Sequence, residues 1–348
     1  MKKKLLLLIF IATTACNITA QVTQVNNNNS LHGLIPLPNG KTVFYSDIDS
    51  SIWASDGTPG NTIQISTIKY EDNYGYLNGK IYFSGSTAAT GTELYVTDGT
   101  AGGTSLVKDI NAGSADSDPG DMTLFNGFLY FSAVTAAQGR ELWKSDGTAG
   151  GTSLLKDIVA GTGSSNGSED SFHLFSNGAF LLFSAESSGS GVELWKSDGT
   201  AGGTSLLKDI NTGADSSNPR EFISVNSTIL FFATDATHGE ELWKTDGSAG
   251  GTVLVKDINP GTGSSTGIEL FPGFTESVYL GFHVFNNKAY FNAYDGTSSN
   301  EIWGTDGTAG NTTLIKDFGG MAFTAFPLVV DAVNYPSKFI FPFADGST

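Results

Sequence analysis

The chain has 348 residues, with 18 Lys and Arg against 35 Asp and Glu, a formal net charge of −17. A surface this acidic repels phosphate backbones and anionic lipid, which argues against nucleic acid or a membrane surface as partner. Cys16 is the only cysteine, so no disulfide can form within the chain and the fold must rest on its core.

The first element is a targeting signal. Lys2, Lys3 and Lys4 precede the apolar run Leu5 to Ala12, and small polar residues follow. The run is too short to stay in a bilayer as a helix. Cleavage is expected after Ala20, leaving Gln21 first. The alternative is a lipoprotein-type cut before Cys16, although Thr13 stands where such signals usually carry Leu. With residues 1–20 removed, 15 basic residues face 35 acidic ones, a net charge of −20, and no transmembrane segment remains. The plain reading of that charge is solubility outside the cell, ahead of a specific cation-binding role.

The mature chain repeats one motif. Glu141-Leu142-Trp143-Lys144-Ser145-Asp146-Gly147-Thr148 recurs from Glu193, and looser copies begin at Ser51, Glu93, Glu241 and Glu301. The central aromatics Trp53, Tyr95, Trp143, Trp195, Trp243 and Trp303 lie 42, 48, 52, 48 and 60 residues apart. A period in this range implies one supersecondary unit stacked on its neighbours. The units run about 31–68, 73–110, 121–158, 170–210, 220–258 and 280–318. The length variation falls in the Gly/Ser/Asp-rich stretch after each Lys-Asp-Ile, which places that loop on an open face.

Four short strands are predicted per unit. In the third they are Asp121–Phe125, Phe128–Val134, Glu141–Ser145 and Thr152–Ile158. Asn126-Gly127 makes the first turn and Asp146-Gly147-Thr148-Ala149-Gly150-Gly151 the last. Asn78-Gly79, Asn177-Gly178 and Asn226-Ser227 fit the same first turn. The second strands, such as Phe128-Leu129-Tyr130-Phe131, are apolar on both faces and must be covered on both. Four-stranded sheets packed around an axis give that cover, so an all-β fold, a β-propeller, is expected. A partial seventh unit spans 323–348, where Lys338–Thr348 aligns with Lys288–Ser298 and the chain stops after two strands. Either the sequence is a piece of a longer chain, or Gln21–Val25 adds a strand to the unfinished sheet. Two strands are missing and Gln21–Val25 supplies one, which favours the first.

The repeated residues suggest structure before chemistry. Asp56, Asp98, Asp146, Asp198, Asp246 and Asp306 each precede a glycine, as in a turn whose carboxylate accepts backbone N–H groups. Six identical sites suit turns better than metal ligands. The five tryptophans could form a sugar-stacking surface, but a fixed mid-strand position suits inter-blade core. Glu93, Glu141, Glu193, Glu241 and Glu301 could serve as glycosidase acids, or each could hold a lysine or a backbone donor. Asp116, Asp118 and Asp121, or Glu71 with Asp72, lack the spacing of a calcium loop. Arg140 and Arg220 are the only arginines, and His32, His173, His238 and His283 are scattered. No residue is therefore assigned a catalytic, cofactor-binding or metal-binding role.

The repeated Glu-Leu-Trp-x-x-Asp-Gly-Thr resembles the ELWxxDGT-repeat family of exported bacterial proteins. Residues 141–148 and 193–200 match at every fixed position. The other copies depart at Ser248, at Ile302, at Tyr95, and at Ser51 with Ile52. The resemblance implies a secreted or surface-attached repeat protein of a Gram-negative bacterium, often with a C-terminal sorting domain, and implies no activity. The expected role is a binding or structural module for a polysaccharide or another surface protein. The alternative is a carbohydrate-active hydrolase with acids from the variable loops.

Overall fold

The computed structural model describes residues 31–166, 171–266, 281–297 and 301–317. They form six four-stranded antiparallel sheets, each a meander in chain order. Blade 1 spans 31–66, blade 2 69–108, blade 3 120–156, blade 4 175–208, blade 5 220–256 and blade 6 283–317. Consecutive sheets pack face to face, and it is the first strands of blades 2, 3 and 4 that approach one another. First strands therefore lie innermost and fourth strands outermost, the arrangement of a β-propeller. The targeting signal, the cuts at Ala20 and Cys16, Gln21–Val25 and the partial seventh unit fall outside the described residues.

The two-faced apolar strands explain the stacking. In blade 3, Leu129, Phe131 and Trp143 share a cluster with Tyr82 and Leu94 of blade 2. Tyr130 and Leu142, on the opposite face, join Phe183 and Trp195 of blade 4. Alternate residues of one strand thus fill two different inter-blade cores.

Some element ends differ from expectation. The fourth strand of blade 3 stops at Lys156 rather than Ile158. Asp157 and Ile158 leave the ladder because the Ile158 and Val159 N–H groups donate to the Glu141 carboxylate at 2.8 and 3.1 Å. The first turn of blade 4 is also longer than the two-residue type. Its strands pair Ser176 with Leu181, and the Asn177 side chain accepts the Ala179 and Phe180 N–H groups across the gap.

Candidate functional site

Strand alternation puts Glu141 and Trp143 on the same face of the third strand, and both are buried. The carboxylates of Glu93, Glu141, Glu193 and Glu241 each accept two backbone N–H groups just past the fourth strand of their own blade. A serine adds a third bond: Ser117 Oγ donates to Glu93, Ser165 Oγ to Glu141 and Ser217 Oγ to Glu193. The serine's backbone also rivets two blades. Ser165 N–H donates to the Arg140 carbonyl of blade 3, and its carbonyl accepts from Glu186 N–H of blade 4. These serines escaped the sequence reading, yet each stands 24 residues after its glutamate. That fixed interval was the available signal. The partners are backbone and serine groups. The lysine alternative fails, because Lys108, Lys208 and Lys256 donate instead to carbonyls of the next blade's turn.

Burial opposes the charge on these glutamates. It pushes Glu141 and Glu241 up to about 7, against the pull of their donors and with a further push from Asp157 and Asp257. The turn aspartates behave oppositely. In blade 3, Asp146 accepts the Thr148 hydroxyl and N–H at 2.7 and 2.9 Å, which holds its carboxyl below the usual range. Gly147 has φ +93°, and a Cβ there would lie 2.2 Å from the Tyr82 hydroxyl of blade 2, so only glycine fits. Trp143, Trp195, Trp243 and Trp303 are 6–7% exposed, in the core rather than on a sugar-stacking surface. Trp53 departs: it is half-buried, and its indole N–H donates to Ser51 Oγ at 2.9 Å.

What remains for function is the non-repeated polar set at the blade end bearing the 2–3 turns and the crossing loops. Arg140 and Glu240 hold the same position in blades 3 and 5, opposite Val134 and Thr234. The Arg140 guanidinium donates to the Asp118 carbonyl at 2.8 Å and lies 3.7 Å from its carboxylate. The Glu240 carboxylate accepts two bonds from Arg220, at 2.8 and 2.6 Å, and one from the Thr266 hydroxyl. This bidentate fork was not legible in sequence, because strand register alone brings residues 220 and 240 together. Asp121, at φ +57° in a bulge of the first strand of blade 3, accepts Ser171 Oγ and the Phe172 N–H ahead of blade 4.

Blade 5 has one more ionisable feature. His238 Nδ1 lies 2.8 Å from Asp235, and this bond raises the histidine's pKa. Blades 2 and 4 close the same turn with neutral pairs, Thr87–Thr90 and Ser187–Ser190. The dyad is therefore a charged version of a structural clip. A cavity between blades 1 and 2, lined by residues such as Ile35, Val43, Tyr70 and Phe83, has no Asp, Glu, His, Lys or Arg in its lining.

The acidic loops are engaged rather than convergent. Asp116 accepts the Thr92 N–H, Asp118 faces Arg140, and Asp121 reaches toward blade 4. Among the described residues no three Asp, Glu, His or Cys side chains group as a metal site. We expect EDTA to leave the thermal unfolding midpoint unchanged. A fall of many degrees would make these loops metal sites.

No family model matches the chain, and no curated protein matches it. Solved structures do. A mutant puromycin hydrolase superposes with TM-score 0.49 at 15% identity, over 82% of this chain and 44% of its own. The computationally designed Ika8 protein gives 0.43 at 14% identity, over 84% of this chain and 74% of its own. TolB from Acinetobacter baumannii gives 0.37 at 16%, over 63% and 53%. The chain thus spans under half of the hydrolase's length. Likeness at this level carries no argument about activity. Among the described residues no helix is long and apolar enough to cross a membrane.

Proposed function

We propose that this protein is an exported β-propeller of the ELWxxDGT-repeat kind, acting as a binding or structural module at the cell surface or in the medium of a Gram-negative bacterium. Its partner would be a polysaccharide or another surface protein. The basic, apolar start of the chain and the six motif copies support export and kinship. One observation carries the binding reading. Among the described residues, the repeated glutamates and turn aspartates and the tryptophans of blades 3–6 are engaged by the fold, and Asp118, Asp121 and Glu240 each pair locally. A hydrolase would need two carboxylates facing one another across a cleft. Here Glu240 is held by Arg220, Asp118 by Arg140 and Asp121 by the segment entering blade 4.

A glycan array probed with the mature chain, run beside hydrolase assays on the same glycans, tests this. The expected result is retention of one glycan class without release of reducing ends. Turnover of a retained glycan would establish the hydrolase instead.

A further inference from the structure

Blades 3 and 5 each carry one arginine at the loop end, set in the same frame with the parts exchanged. Gly120 pairs with Ser132 where Arg220 pairs with Phe232, and Arg140 pairs with Val134 where Glu240 pairs with Thr234. Asp118 and Asn218 correspond as well. Both have positive φ, 42° and 45°, and their N–H groups donate to the Thr92 and Val192 carbonyls. The acid facing the arginine is thus on the third strand in blade 5, and on the loop ahead of the first strand in blade 3.

The exchange closes one site and opens the other. In blade 5, Arg220 and Glu240 meet at 2.6 Å with side chains 15% and 13% exposed, so donors and acceptors satisfy each other. In blade 3, Arg140 stands 3.7 Å from the Asp118 carboxylate, beyond hydrogen-bond reach, and the Asp118 side chain is 54% exposed. Arg140 Nη1 is fixed by the Asp118 carbonyl at 2.8 Å and by the buried Ser132 hydroxyl at 3.2 Å. Among the described residues its Nε and Nη2 have no acceptor within hydrogen-bond reach. Gly120 leaves room beside this guanidinium. A Cβ there would lie 3.3 Å from Ser132 Oγ, 3.9 Å from Oδ1 of the exposed Asn73 of blade 2 and 4.0 Å from the Asp118 carbonyl. Blade 5 has Arg220 itself at the corresponding position.

We propose that this cleft between blades 2 and 3 is a subsite for one neutral hexose of a polysaccharide. One hydroxyl of a vicinal pair accepts from Arg140, the other donates to Asp118, and the Asn73 amide closes the blade 2 side. A hydroxyl both donates and accepts, so a vicinal pair can bridge a guanidinium and a carboxylate that are held apart. An anionic sugar fits the site poorly. Asp118 and Asp121 already outnumber the one arginine, and the Ser132 hydroxyl that holds Arg140 also lies 3.5 Å from Asp121. The inference rests on the polysaccharide reading above and adds the class of sugar and the residues that would hold it.

The test is isothermal titration of the full chain with cellohexaose, laminarihexaose, mannohexaose and an oligogalacturonate. Saturable binding of at least one neutral hexaose is expected, ahead of the oligogalacturonate. Gly120 lies outside the left-handed region, so Gly120→Ala adds only a methyl group to the cleft. Asp118→Asn removes the acceptor charge and copies Asn218 of blade 5. Each should weaken binding at least tenfold with the melting curve in place. Arg140→Val, which copies Val192 of blade 4, should abolish binding, and Asn73→Ala should weaken it from the other blade. Binding that survives Gly120→Ala and Arg140→Val undiminished overturns the subsite and leaves the polysaccharide reading standing. Preference for the oligogalacturonate overturns the neutral class. Binding of none of the four overturns the subsite, and the glycan array then decides the polysaccharide reading separately.

Discussion

Trp143→Ala is expected to destabilise the chain by about 3–5 kcal/mol, the range for emptying a buried aromatic site. The indole sits among Leu77, Tyr82, Leu94 and Val107 of blade 2 and Leu129 and Phe131 of its own blade. None of these can close the cavity without drawing two sheets together. Trp143→Phe should cost far less. It keeps most of the ring, and it removes an indole N–H that is buried without a partner. Tyr95 already shows that a smaller ring fits this position in blade 2. Urea midpoints of the parent and the two variants check the order. A midpoint unmoved by Trp143→Ala would return the ring to the sugar-stacking surface.

Glu241→Ala is expected to be comparably severe. It strands the Ile258 and Asn259 N–H groups, and the glutamate also holds Ser265. Buried donors left unsatisfied cost about 1–3 kcal/mol each. Glu241→Gln keeps an acceptor and isolates the role of charge. The Glu141 and Glu241 carboxyls titrate at about 7 when folded, against an ordinary 4.5. Between those values the folded state holds protons that the unfolded state has lost. Their contribution to stability is therefore complete below about pH 4.5 and is lost as pH rises through 7. The turn aspartates oppose this on the acid side. Asp146 and Asp198 are held below 3.8, so their contribution is present above that value and disappears on further acidification. The urea midpoint should peak near pH 4–5 and decline toward pH 8. Glu241→Gln should flatten part of that decline, and a slope identical to the parent's would show that the buried carboxylate does not titrate there.

The sequence alone determined the unit and its stacking. The recurring aromatics marked the six described blades, the Asp-Gly pairs located the outer turns, and the apolar second strands required a sheet on each face. These features are legible because each is local: a positive φ calls for glycine, and a strand without a polar face calls for cover on both sides. The resting place of each glutamate was decided by tertiary structure. Glu141 meets Ser165 only where the loop after the fourth strand folds back across the third, and that fold is what pulls Asp157 and Ile158 out of the ladder. The pairing of Arg220 with Glu240 depended on register between the first, second and third strands of blade 5. The half-buried setting of Trp53 was likewise invisible in letters that match its buried counterparts. Burial is a property of what packs against a residue, and the repeat writes the same side chain whether or not a neighbour arrives to cover it.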